Sequence, residues 1–106
     1  AKIINELYVH VDRRLIKINF DIINLIEASG DYITIKTDSK NYTVHSTMKK
    51  IAEKLPEDLF LKVHRSFIIN TAKIIDIQDN SVFLGNYVIP VSRSKRSELK
   101  KRLNLL

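Results

Sequence analysis

Lys62, His64, Arg65, Ser66 and Asn70 interrupt an otherwise apolar run, Phe60-Leu61-Lys62-Val63-His64-Arg65-Ser66-Phe67-Ile68-Ile69-Asn70. Phe60, Leu61, Val63, Phe67, Ile68 and Ile69 have the composition of a buried strand or strand pair. Basic and hydrogen-bonding groups set in such a frame are held still by their neighbours, as a ligand-reading surface requires. Lys62, Arg65 and Ser66 are phosphate donors, and Arg or Asn can present the forked donor that reads a base edge. Taken alone, His64 would be a packed histidine bonding a neighbouring loop, and Arg65 a solvated charge. Their company turns the reading toward an anionic polymer, most simply DNA.

A second basic cluster, Arg93-Ser94-Lys95-Arg96, stands near the C-terminus. Cations at the start of a helix oppose its macrodipole, so a polyanion that answers them would explain their presence. Arg93 is the better base reader, and Lys95 and Arg96 the better phosphate clamps. The turn signal Ser29-Gly30-Asp31-Tyr32 would make a tight hairpin tip. There Asp31 could accept from a cytosine amino group and Tyr32 could reach a phosphate or a base. Lys49, like Lys50, reads as a solvated helix face able to touch phosphate. His10 and His45 look incidental.

The elements that must position these groups follow from periodicity. Leu7–Val11 and Leu15–Phe20 read as strands about an Asp12-Arg13-Arg14 turn. Ile22–Ala28 is a third apolar run. Tyr32–Thr37 alternates cleanly and should return as a hairpin through Tyr42–Val44. Met48, Ile51, Ala52 and Leu55 then fall at i, i+3, i+4, i+7, the spacing of one helix face, with Ser46 or Thr47 as cap and Pro56 as stop. Strands resume over Phe60–Val63, Phe67–Ile69, Lys73–Ile77, Val82–Leu84 and Tyr87–Val91. Ser92 or Ser94 should cap a short C-terminal helix carrying Leu99 and Leu103. The expectation is a mainly β domain with one internal and one terminal helix, and residues 1–5 as linker.

The chain has 106 residues and a net charge of +6. Its first 45 residues hold six basic and six acidic groups; residues 46–106 hold 12 basic and six acidic. All of the excess therefore lies in the second part, an electrostatic footprint of nucleic-acid binding. With no cysteine there is no disulfide and no thiolate metal site, which suits a reducing, cytoplasmic setting. No His, Asp and Glu spacing resembles a metal site, and no cofactor is expected. No apolar run approaches the roughly 20 residues of a membrane span. Ala1-Lys2-Ile3-Ile4-Asn5-Glu6 lacks the apolar block of a signal peptide. The missing initiator Met and abrupt start lead us to expect a domain cut from a longer protein.

Catalysis is poorly supported. Ser66 stands two residues from His64, but no carboxylate is placed to orient that ring and no nucleophile elbow surrounds the serine. A glycine-rich phosphate loop is missing too. A His64, Lys62 and Arg65 set acting on phosphodiesters is the minor enzymatic alternative.

These segments resemble a known family. Ile26-Glu27-Ala28-Ser29-Gly30-Asp31-Tyr32-Ile33 is similar to its Ile-Glu-Ala/Ser…Asp-Tyr-Val segment, and Thr47–Leu55 to its short leucine-patterned helix. Phe60–Asn70 resembles its signature Phe-Phe-Arg-Val-His-Arg-Ser-Tyr-Ile-Val-Asn, and Ile89-Pro90-Val91-Ser92-Arg93 its closing Ile-Pro-Val-Ser-Arg. Over about residues 7–103 the chain resembles a LytTR-type DNA-binding domain, the output module of bacterial two-component response regulators. Lys62 stands where Arg is commoner, and Thr71-Ala72 where a Leu-Asp or Leu-Arg pair is frequent.

The resemblance implies an elongated stack of small antiparallel sheets whose loops, not a recognition helix, touch DNA. Asp31-Tyr32, His64-Arg65 and Arg93 would be the base-contacting positions, in two successive major grooves and the minor groove between. Lys62, Ser66, Asn70, Lys95 and Arg96 would support them or contact phosphate. Promoter DNA with paired direct repeats would be the partner. The domain would be a monomer that pairs on DNA, with an N-terminal receiver domain absent from this chain and no membrane contact. The rival reading is a β-rich RNA- or protein-binding module. RNA readers stack bases on exposed aromatics, whereas the Tyr and Phe here sit mostly within apolar runs.

Overall fold

The computed structural model describes residues 3–106; Ala1 and Lys2, part of the linker and signal-peptide readings, lie outside the described residues. The strands are β1 (Glu6–Val11), β2 (Arg14–Asn19), β3 (Ile23–Ser29), β4 (Tyr32–Thr37) and β5 (Asn41–His45), followed by β6 (Phe60–His64), β7 (Phe67–Asn70), β8 (Asp76–Gln78), β9 (Ser81–Leu84) and β10 (Tyr87–Pro90). Two short helices, α1 (Met48–Ala52) and α2 (Arg96–Arg102), complete the secondary structure apart from three 3-10 turns.

The strands form three antiparallel sheets: β1-β2, the five-stranded β5-β4-β3-β7-β6, and β10-β9-β8. The five-stranded sheet is the middle layer because β3 and β7 carry apolar residues on both faces. Ile26 pairs with Ile35 on one side and Ile68 on the other. With Leu7, Val9, Ile18, Met48 and Ile51 these build a core under the β1-β2 ribbon and α1. One residue along, Leu25 pairs with Ile69 and Ile69 with Leu61, and the pleat turns them to the opposite face. There they meet Val63, Val82, Leu84, Val91 and Leu99 in a second core under β8–β10 and α2. Each such fully buried Ile or Leu contributes about 1.5–3 kcal/mol relative to exposure. The result is the expected stack, 45 × 36 × 24 Å.

Several local expectations change. Lys73–Ile77 is not one strand: residues Thr71–Lys73 form a 3-10 turn and only Asp76–Gln78 pairs with β9. Asn70 starts that turn by accepting from the Ala72 amide. Helix α1 stops at Ala52, although Leu55 is still buried. Thr47 is its cap, accepting from the Lys50 amide at 3.1 Å. Neither Ser92 nor Ser94 caps the C-terminal helix; a 3-10 turn, Arg93–Lys95, precedes α2. Asn5 is not free linker, since its carbonyl accepts from the Phe20 amide at 2.9 Å.

Candidate nucleic-acid interface

One end of the middle sheet gathers the groups singled out in the sequence. Strands β3 and β4 join through Gly30-Asp31, with Ser29 opposite Tyr32. Gly30 takes φ +60° and Asp31 does not take a positive φ, the pattern of a type II′ turn with Gly first. Strands β6 and β7 join through Arg65-Ser66, with His64 opposite Phe67. Because β3 and β7 run antiparallel with Glu27 opposite Phe67, the two turns lie side by side. The Ala28 amide donates to the Ser66 carbonyl at 2.9 Å and ties them together. Strand β5 ends at the same place, as His45 pairs with Tyr32, and α1 begins just beyond it.

The C-terminal basic cluster reaches this end through Ser92. The pairing of β6 with β7 shifts register between Lys62 and His64, which leaves Val63 as an extra residue on the edge strand. The Val63 carbonyl accepts both from the Ser92 amide, at 2.8 Å, and from its hydroxyl, at 3.1 Å. Arg93, next in the chain, is thereby set beside the His64-Arg65 turn and is exposed.

Each side chain then has a defined environment. His64 is half-buried; its Nδ1 accepts from the Ser66 amide at 3.1 Å, so the ring proton sits on Nε2. Its ring tilts against Phe67 at 5.6 Å. Arg65, Lys62 and Asp31 are exposed. Tyr32 is exposed and meets the His45 ring edge-on at 5.2 Å. Ser66 uses its amide and carbonyl to hold the turn, and its hydroxyl makes no hydrogen bond among the described residues. Lys49 is exposed near the start of α1. Lys95 lies 3.8 Å from Glu98, one turn along.

Asn70 is a correction. Expected among the phosphate donors or their support, it is 1% exposed. Its Nδ2 donates to the carbonyls of Ile23, at 2.9 Å, and Phe20, at 3.4 Å, at the opposite end of β7 from the turns. Its amide group is spent on holding the backbone and has no path to a phosphate. Arg96 is also placed apart. It lines a groove between α2 and the β8-β9 hairpin with Ile74, Asp79 and Leu99, and its Nε is buried without a hydrogen-bond partner. Sequence reasoning missed Ser92 as the tie between the two clusters: a serine before a helix reads as a cap.

Away from the tips, Asp38 is held below the usual aspartate range chiefly by the hydrogen bond from Lys73. Lys73 Nζ is 2.9 Å from Asp38 Oδ2, joining the β4-β5 turn to the 3-10 turn after β7. Among the described residues no group of three or more His, Cys, Asp or Glu could hold a metal ion, and no helix is long and apolar enough to cross a membrane.

Comparison with known proteins bears on this arrangement. A family model described as the LytTr DNA-binding domain matches residues 13–104. The sensory transduction protein LytT of Bacillus subtilis strain 168 is 40% identical over 80 residues, covering 70% of this chain and 33% of its own. The transcriptional regulatory protein YpdB of Escherichia coli K12 is 30% identical over 101 residues, covering 89% of this chain and 41% of its own. The chain thus spans well under half the length of these curated relatives. A solved LytTr DNA-binding domain from Bacillus cereus, described as that of a methyl-accepting/DNA response regulator, superposes with a TM-score of 0.79 at 23% identity, covering 95% of this chain and 98% of that one.

Proposed function

Because this chain belongs to the LytTr DNA-binding domain family, we propose that it binds double-stranded DNA sequence-specifically, as the cytoplasmic output module of a bacterial two-component response regulator that controls transcription. The observation that carries the sequence-specific part is the convergence of Gly30-Asp31, Arg65-Ser66 and Arg93 at one end of the middle sheet. Gly30-Asp31 and Arg65-Ser66 are hairpin turns and Arg93 opens a 3-10 turn, so loops do the reading. Arg93, Arg65 and His64 read bases, with Asp31 and Tyr32 at the neighbouring tip. Lys49, Lys62, Ser66 and Lys95 contact phosphates. Asn70 contributes only by holding the far end of β7.

A receiver domain elsewhere in the full protein would control when two copies meet on paired direct repeats; the isolated domain is a monomer. An RNA-reading sheet is less well supported. Of the four Tyr and four Phe, only Tyr8 and Tyr32 are exposed, too few for a stacking platform.

Selection from a random duplex-DNA library tests the proposal. Enrichment of two short motifs about one helical turn apart is the expected result. Salt-sensitive retention without any enriched sequence would leave only phosphate binding and overturn base reading. Preference for single-stranded RNA at the same salt would favour the rival module.

A further inference from the structure

A groove of about 380 Å³ lies between β1, the end of β5 and α1. Its polar lining is Tyr8, His10, His45, Ser46, Lys50 and Lys54, and no carboxylate is among the residues that line it. Lys36, Lys73 and Lys95 each have an acidic partner. Lys50 and Lys54 make no ion pair among the described residues, although they face the same groove and repel one another. The floor is rigid: Leu7, Val9, Ile33 and Ile51 all belong to the first core. The groove is also continuous with the reading end, because His45 pairs with Tyr32 and their rings touch.

Two lysines and two histidines around a rigid, acid-free groove form a site for a phosphodiester, which offers several acceptor oxygens to such donors. We propose that this groove is a second clamp on the DNA backbone, carrying the duplex past the loop tips toward the β1-β2 ribbon, with Lys50 and Lys54 as its phosphate contacts. The inference rests on the DNA-binding reading above and adds contacts outside it: His10 and His45, which looked incidental in the sequence, become its donors beside the lysines. A lipid headgroup has similar chemistry, but continuity with the base-reading loops selects DNA.

The test is the variant Lys50→Gln/Lys54→Gln in the full domain, with both positions exposed and the Thr47 cap untouched because it binds the Lys50 backbone. Binding of cognate and random duplex is followed from low to moderate salt, with hydroxyl-radical footprints on the cognate site. The expected result is a log K against log salt slope shallower by nearly two, since each phosphate contact contributes about 0.9. Affinity should fall about fivefold to tenfold per lysine at 0.1 M salt on both duplexes, with protection lost at one flank only. An unchanged slope and footprint, with wild-type binding intact, would overturn the clamp and leave the function standing. Failure of the wild-type domain to bind duplex DNA would instead remove the function on which the clamp rests. Sedimentation with vesicles of anionic phosphatidylserine in phosphatidylcholine runs alongside: binding by the wild type that the double variant loses, without any change on DNA, would assign the groove to a lipid surface and overturn the proposal.

Discussion

Ser92 places both of its donors on one acceptor, the carbonyl of Val63. The two residues are 29 positions apart, and this contact ties together the basic clusters that flank them. The arrangement depends on the register shift in β6, which leaves Val63 as an extra residue on the edge strand, its carbonyl bonded to Ser92, while the Val63 side chain stays fully buried.

Replacing Ser92 with Ala removes the hydroxyl bond and leaves the amide bond, so no buried carbonyl is orphaned. The expected loss of stability is about 0.5–1.5 kcal/mol, read as a lower urea midpoint at constant m. Cognate DNA affinity should fall more than random-DNA affinity, because Arg93 loses its fixed position. Equal weakening on the two duplexes would show that Ser92 does not aim a base reader.

Arg93 and Lys95 should separate base reading from phosphate contact. Arg93→Ala is expected to cost about 1–3 kcal/mol on the cognate site and little on random DNA. Lys95→Ala should weaken both alike and flatten the salt slope by about one. The half-exposed Lys95–Glu98 pair is a weak competitor for that lysine. Titrations of both variants at several salt concentrations decide the matter, and a salt slope left intact by Lys95→Ala would take Lys95 off the phosphate.

Much of this fold was legible because it rests on short-range alternation. Tyr32–Thr37 forms strand β4 over that very span, and Gly30 turns its hairpin with a left-handed φ. The stacking of three sheets was implied by family resemblance; periodicity could not tell which strands are buried on both faces until Leu25 and Ile26 were seen to point into different cores. The Lys73–Ile77 run looked like a strand because it is apolar, but Asn70 turns the chain there first. Side-chain destinations were the least legible. Asn70 and Ser66 are both small polar residues in one run, yet a strand length of four residues puts one inside and the other at the tip. Ser92 was read as a local cap because nothing in its neighbourhood marks a partner 29 residues away.

Asn70→Ala tests the reassignment of that residue. The change takes the Asn70 partner from the Ile23 carbonyl and the Ala72 amide, while the Phe20 carbonyl keeps the bond from the Ile23 amide. A loss of about 2–4 kcal/mol is expected, since each buried unmade bond costs about 1–3 kcal/mol and part is recovered by relaxation. Under conditions where the variant remains folded, its preference for cognate over random DNA should match the wild type. A stable variant with lost preference would return Asn70 to the DNA surface.

The Asp38–Lys73 pair gives a pH dependence of known sign. Asp38 titrates below its ordinary value of 3.8 in the folded protein because Lys73 bonds the carboxylate, with a smaller contribution from Asn24. The unfolded chain therefore binds more protons than the folded one between the two values. The pair's contribution is complete above the ordinary aspartate range and disappears as pH falls through the lowered folded value. Comparing urea midpoints of wild type and Asp38→Asn from about pH 7 to about pH 2 should show a small wild-type advantage at neutral pH that closes in acid. The pair is exposed, so added salt should also shrink the advantage. A difference that widened as the pH dropped would contradict the sign of the shift and the role of Lys73 in joining the β4-β5 turn to the chain after β7.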